Sequence, residues 1–116
     1  MGIDTQVPML GWVFDEKWAN ANPRLVSSFL KASSEARAIL RTSDEEWDVI
    51  RPLTKAKNDE VFSELRTAYR RGFSGTFGEQ QQKAAAQIFD ILAKEGGPKL
   101  VGKSDSLSKG TFWLNQ

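Results

Sequence analysis

The sequence predicts a mainly α-helical protein of four to five helices with one short N-terminal strand. From Phe14 onward, apolar residues recur every three to four positions, which is the spacing of a helix face. Capping residues, glycine and proline separate these segments into individual helices. Only residues 5–14 combine Val, Trp and Phe in the way that is typical of a strand. We therefore treat 1–116 as a single unit, with a strand over 5–14, helices over 15–95 and an irregular tail over 96–116.

The strand predicted over 5–14 has no partner within the chain. Pro8 suits the first residues or the edge of a strand, and Gly11 suits a bend. No later segment has the pattern of a second strand. We therefore expect that the strand pairs with residues outside this sequence.

Two helices are predicted after the strand. Asp15 is a favoured N-cap for a short helix, in which Trp18 is the apolar anchor. Asn22 and Pro23 then start a longer helix, because Asn is favoured at the N-cap and Pro at the first helical position. Its broad apolar face continues to about Arg41.

Two further helices begin with capping signals. Ser43 with Glu46 three residues later forms the pattern of a capping box, and the helix that follows should end near Pro52. Asn58 opens the next helix, which Gly72 should stop.

A last helix is predicted before the tail. Thr76 with Glu79 repeats the capping-box pattern, and the helix should end at the Gly96-Gly97-Pro98 sequence. The tail beyond it is rich in Ser, Lys and Gly.

The four tryptophans are predicted to have different roles. Trp18 and Trp47 lie on apolar helix faces and are expected in the core. Trp113 is expected to anchor the tail. Trp12 follows Gly11 at the end of the predicted strand, where its ring could line either a pocket or an interface between lobes.

The composition disfavours most enzymes and nucleic-acid binding. The chain contains 16 Lys and Arg against 15 Asp and Glu, and the resulting net charge of +1 gives no strong field to attract nucleic acid. It has no Cys and no His, which excludes thiol nucleophiles, disulfides and Cys/His metal sites. We predict no catalytic residue, no metal ligand and no cofactor. No segment has the length and apolarity of a membrane span, and the first six residues do not resemble a signal peptide.

The charged motifs have structural explanations. Asp44, Glu45 and Glu46, like Asp59 and Glu60, fall in first helical turns, where carboxylates stabilise the helix dipole. The Arg70-Arg71 pair fits either an anion clamp or cations at a helix C-terminus, and we favour the latter. The glycines at 72, 75 and 78 match no phosphate-binding pattern.

Several segments together resemble a known family. They are 7–19, 22–26, 29–33 with Ala36, and the closing 110–113. This pattern resembles the C-terminal part of periplasmic substrate-binding proteins of ABC importers, of the nitrate/sulfonate/taurine or thiamine-precursor type. The resemblance implies a fragment of a two-lobed α/β fold (type II), which captures a small solute in the periplasm and delivers it to a membrane permease.

The same resemblance implies the site residues and partners. A strand in that family points toward the cleft between the lobes, so Gly11 and Trp12 are the expected substrate-binding residues, with Met9 and Leu10 as secondary candidates. The solute and the ABC permease are partners of the intact parent, and the fragment alone should bind solute poorly. Uncovered helices and an unpaired strand also predict either a homodimer, formed through the N-terminal strand or by exchange of helices, or a rearranged helical bundle. The alternative is a stand-alone helical module that binds another protein.

Overall fold

The computed structural model describes residues 6–73, 75 and 77–113. Within these residues the protein is mainly helical and contains no strand. The helices are α1 (Glu16–Ala21), α2 (Pro23–Thr42), α3 (Asp44–Thr54), α4 (Asp59–Arg71), α5 (Glu79–Gly96) and α6 (Pro98–Val101). None of the described helices is both long enough and apolar enough to cross a membrane.

The described residues form two compact units. One is Gly11–Phe73 and contains α1 to α4, each of which packs against the next along the chain. The other contains residues 6–10, 75 and 77–113, with α5 packed against α6.

Three helix starts confirm the predicted side-chain caps. The Asp15 carboxylate accepts a hydrogen bond of 2.7 Å from the Trp18 backbone N–H at the start of α1. The Ser43 hydroxyl accepts one of 3.3 Å from the Glu46 N–H at the start of α3, and Asn58 caps α4 in the same way. Each cap satisfies a backbone donor that has no partner inside the helix.

Asn22 occupies the predicted boundary but acts differently. Its side-chain amide donates to the Trp18 carbonyl at 2.9 Å, and its backbone N–H donates to the Ala19 carbonyl at 3.1 Å. Asn22 therefore closes α1, while Pro23 starts α2 without a side-chain cap. Pro is suited to this position because the first helical N–H has no helical partner.

Helix α3 extends past Pro52, so the predicted end near that residue is wrong. The helix continues to Thr54, and Lys55 then adopts a left-handed conformation with φ of 56°. The Thr54 hydroxyl donates to the Arg51 carbonyl at 2.7 Å and accepts from the Ala56 N–H at 3.3 Å. These bonds satisfy a backbone acceptor before the proline and a backbone donor after it, which helps the last turn to remain helical.

The start of α5 also differs from the prediction. Thr76 lies outside the described residues, and the N-cap position is Gly78. The Gln81 side-chain carbonyl accepts from the Gly78 N–H at 2.8 Å, which is the half of a capping box that needs no side chain at the cap.

The tail contains one helical turn, so its description as wholly irregular is wrong. Gly97 has a φ of 59°, which favours glycine, and lets the chain turn from α5 directly into α6. Beyond α6, Phe112 packs on Phe77 with ring centroids 4.7 Å apart. Trp113, the predicted anchor, is half-buried.

The predicted strand over 5–14 is not formed in its described part. Residues 6–14 have no strand conformation, and residue 5 lies outside the described residues. A strand needs a neighbouring strand to satisfy its backbone groups, and the described residues provide none. Pro8 also lacks the N–H that a ladder would use.

Aromatic rings form the centre of the Gly11–Phe73 unit. Trp47 and Phe62 are buried and pack edge to face with centroids 6.3 Å apart. Tyr69 packs on Trp47 at 5.2 Å, and Phe73 packs on Tyr69 at 5.0 Å. Edge-to-face contacts between aromatic rings stabilise a core by more than the burial of their surface area alone. Trp47 is therefore a core residue as predicted.

Trp18 is not a core residue, and its predicted burial is wrong. It is 47% exposed, while its neighbour Ala19 is fully buried. Successive helical residues point about 100° apart, so a helix of only six residues can bury one of these side chains and leave the other at the surface.

Candidate functional site

The candidate residue Trp12 is held on the surface of α2. Its indole N–H donates to the Ser33 hydroxyl at 2.8 Å, and its ring packs edge to face on Phe29 with centroids 5.0 Å apart and planes at 76°. Phe29 and Ser33 are four residues apart on α2 and so share a face. One side of the indole is thus fixed, while the residue as a whole remains 62% exposed.

The residues around Trp12 in the sequence are uncovered. Met9, Leu10 and Val13 are almost completely exposed. A Cβ added at Gly11 would have no atom within 4 Å, so nothing in the structure requires glycine there. The structure therefore places Gly11 and Trp12 on an open surface, where a solute could be contacted from one side only.

A depression in the described part of the second unit lies elsewhere. It has a volume of about 500 Å³ and lies where α5 meets α6, with Asp90, Lys94, Lys103 and Asp105 among its lining residues. It contains none of the four candidate residues. Its charges are of both signs and lie at the surface, so it has no clear preference for an anion or a cation.

Arg70 is held by neighbouring helices, while its Nη2 is buried without a hydrogen-bond partner among the described residues. Its Nε donates to the Leu40 carbonyl at 3.1 Å, and its Nη1 lies 2.8 Å from the Asp44 carboxylate. The Trp47 indole N–H donates to the same carbonyl at 2.6 Å. Leu40 is in the last turn of α2, where carbonyls have no helical partner. Arg70 and Trp47 therefore cap the C-terminus of α2 from the neighbouring helices.

Two other arginines of this unit, Arg51 and Arg66, also make ion pairs and ring contacts. Arg66 lies 3.6 Å from Asp44 and 5.7 Å from the centre of the Phe62 ring. Arg51 lies over the same ring at 4.7 Å and is paired with Asp59. Cations over an aromatic face are attracted by its electron density. This arrangement supports the structural interpretation of the Arg70-Arg71 pair over an anion clamp.

The sequence analysis did not predict the Arg70–Leu40 contact. The two residues are 30 positions apart, and only the packing of α4 beside the end of α2 brings them together. A signal was nevertheless present, because every helix C-terminus leaves carbonyls that cationic side chains can bind.

The carboxylates of the described residues show no catalytic or metal-binding arrangement. No group of three or more Asp and Glu side chains in this part of the chain is placed to hold a metal ion. The Glu79 carboxylate pairs with Lys83 at 2.8 Å, one turn further along α5. The hydrogen bond from Lys83, and then its positive charge, lower the pKa of Glu79 below its ordinary value of 4.5. The pair is exposed and stabilises the first turn of α5.

Comparison with known proteins gives no family assignment. No protein-family model, curated protein or solved structure matches this chain. The functional proposal therefore depends on the geometry of the chain and on the sequence pattern.

Proposed function

We propose that this chain is the C-terminal portion of a periplasmic substrate-binding protein of an ABC importer. The intact protein would capture a small solute, such as a sulfonate, nitrate or a pyrimidine-like compound, and deliver it to a membrane permease. The proposal combines the sequence resemblance with one structural observation, which is the half-covered indole of Trp12 on an open surface.

The geometry of Trp12 is suited to one wall of a binding cleft. The hydrogen bond to Ser33 and the contact with Phe29 fix the ring, so a ligand would lose little affinity in ordering it. The exposed part of the ring offers an apolar surface with a polarisable face. A complete solute site would need a second wall, with polar groups that orient the ligand.

The surroundings of Trp12 support a missing second wall. Met9, Leu10 and Val13 are apolar and exposed one after another, which is unusual for a finished surface. Their segment also has the composition of a strand but pairs with no strand among residues 6–73, 75 and 77–113. Both features are expected if further chain of the parent protein covers this segment.

The proposed protein binds its solute and does not change it covalently. Affinity would come from hydrogen bonds and aromatic packing, and closure of two lobes around the solute would complete the site. We propose no enzymatic activity, no cofactor and a periplasmic location, all of which follow from the resemblance.

Calorimetric titration tests the proposal. The 116-residue chain should give no saturable heat with a sulfonate, nitrate or a pyrimidine, whereas the longer parent protein should bind one of them. In the parent, Trp12→Ala should weaken binding at least tenfold. Trp18→Ala should not, because Trp18 is also an exposed tryptophan, 47% against 62% for Trp12, but lies on α1. Tight binding by the 116-residue chain, or equal affinity of the two parent variants, would contradict the proposed site.

A second candidate is a stand-alone helical module that binds a protein. It is favoured by the aromatic cluster of the Gly11–Phe73 unit, in which Trp47 packs on both Phe62 and Tyr69 within the same unit. This candidate predicts that the native product has the mass of the 116-residue chain, 13.0 kDa.

A further inference from the structure

The tail beyond α6 returns along α5 to the point where that helix begins. We call residues 103–112 the strap, and they contain no helix or strand. The strap starts beside the last turns of α5, because Lys103 lines the same depression as Asp90. It ends at Phe112, whose ring packs on Phe77, two residues before the first residue of α5. The strap and α5 therefore run in opposite directions.

The length of the strap fits this course closely. Asp90 and Phe77 are 13 positions apart, which corresponds to about 20 Å along a helix. Asp105 lines the depression together with Asp90, and it is seven positions from Phe112. Seven residues span at most about 24 Å. The strap therefore lies along α5 with little slack and does not loop away from it.

No polar contact fastens the strap to α5 between its two ends. Among the described residues, none from Lys103 to Gly110 forms a hydrogen bond or an ion pair with a residue outside the strap. Inside the strap, the Thr111 hydroxyl donates to the Ser108 carbonyl at 2.6 Å. Leu107 is half-buried, and the other residues from 103 to 111 are exposed.

The strap is held at its ends. Gly102 and Gly110 have φ of 80° and 83°, a conformation that favours glycine, and they turn the chain at either end of the strap. At the far end Phe112 and Trp113 are half-buried. Ordering a non-helical segment costs conformational entropy, and few buried apolar contacts offset this cost here. Segments of this kind open at a lower free energy than the helices beside them.

We propose that the strap is a gate, which moves away from α5 about Gly102 while α5 and α6 remain folded. Opening separates Phe112 from Phe77 and removes the wall that residues 103–105 contribute to the depression. The closed and open forms thus differ in the access that they give to this side of α5.

Helices α5 and α6 have contacts of their own that do not involve the strap. The Leu100 side chain of α6 lies against Gly96 at the end of α5. The Gly97 N–H donates to the Ala93 carbonyl at 2.9 Å and closes the last turn of α5. A variant that opens the strap should therefore retain the helicity of the unmodified chain.

Spin labels at the two ends of the gate test the proposal, since the chain has no cysteine of its own. Gln80→Cys at the start of α5 and Lys109→Cys in the strap give two exposed attachment sites. Double electron–electron resonance should show a main population at short distance and a minor, broad population at longer distance. Phe112→Ala should raise the ratio of the long to the short population at least tenfold, because it removes the ring contact and its burial.

Phe29→Ala is the matched control for Phe112→Ala. Phe29 also packs on an aromatic ring, that of Trp12, but it lies in the Gly11–Phe73 unit. This variant should leave the distance distribution unchanged, and circular dichroism should show that Phe112→Ala keeps its helicity. A single short distance in both the unmodified background and Phe112→Ala, or an equal effect of Phe29→Ala, overturns the gate. Loss of helicity in Phe112→Ala would also overturn it, because the strap and α5 would then unfold together.

Trypsin gives a second measurement that needs no labels. When opening is fast, the rate of cleavage follows the population of the open form. Cleavage after Lys109 should therefore be at least tenfold faster in Phe112→Ala than in Phe29→Ala. Equal rates would contradict the gate. No strap residue belongs to the candidate site at Trp12, so either result leaves the proposed function untouched.

Discussion

The contact between Arg70 and the end of α2 gives the sharpest test of the packing in the Gly11–Phe73 unit. Replacing Arg70 with Ala removes the hydrogen bond from Nε to the Leu40 carbonyl and the ion pair with Asp44. A hydrogen bond that involves a charged group contributes about 1.5–3 kcal/mol. The ion pair adds only about 0–1 kcal/mol, because the Asp44 side chain is 62% exposed.

The expected loss for Arg70→Ala is therefore about 2 kcal/mol. The Leu40 carbonyl keeps its bond from Trp47, so no buried acceptor is left unpaired and the loss should not be larger. For a unit of this size, each kcal/mol lowers the Tm by roughly 4–8 °C. Thermal unfolding followed by circular dichroism should thus show a Tm lower by roughly 8–16 °C.

Arg71→Ala is the matched control for this prediction. Arg71 is the neighbouring residue at the end of α4 and shares the favourable position relative to the helix dipole, but it is exposed. We expect a loss of less than about 0.5 kcal/mol for Arg71→Ala, as for most surface substitutions. Equal Tm values for the two variants would refute the role of Arg70 as a cap of α2.

Two further predictions concern the second unit. In Gly96→Ala the new Cβ would lie 2.5 Å from Cδ2 and 2.7 Å from Cβ of Leu100, so urea unfolding should show a net loss of about 1 kcal/mol despite the better helix propensity of Ala. Gly11→Ala is the control, because its new Cβ would have free space, and it should change the free energy of unfolding little. If Gly96→Ala were more stable than the unmodified protein, the predicted clash with Leu100 would be contradicted. Lys83→Gln should raise the pKa of Glu79 back toward 4.5, as followed by NMR titration of its carboxyl carbon. Because the pKa of Glu79 is lowered in the folded state, its pair with Lys83 contributes stability at pH values above the ordinary pKa of a Glu side chain. This stability is lost as the pH falls through the lowered pKa. An unchanged pKa of Glu79 in Lys83→Gln would exclude Lys83 as the cause of the shift.

The local signals in the sequence predicted most helix starts correctly. Asp15, Ser43 and Asn58 cap helices through hydrogen bonds to residues three positions away. Such contacts depend only on neighbouring residues, so the sequence contains all the information that they require. The helical fold class follows from the same local patterns.

The features that depend on distant contacts could not be predicted in this way. Pro52 disfavours the last turn of α3 by itself, but the Thr54 hydroxyl satisfies the backbone around it. The exposure of Trp18 depends in the same way on which helix packs beside it.

The candidate site also combines a feature that the sequence predicted with features that depend on distant contacts. The sequence singled out Trp12 but did not predict its hydrogen bond to Ser33, 21 residues later. It predicted a strand for residues 5–14 from their composition, whereas a strand forms only beside a partner.

The mass of the native product tests the central claim most directly, namely that this chain is part of a larger solute-binding protein. An antibody raised against the 116-residue chain would isolate the native product for intact-mass spectrometry. The account predicts a mass well above the 13.0 kDa of this chain. A native product of 13.0 kDa would contradict it and would favour the stand-alone helical module.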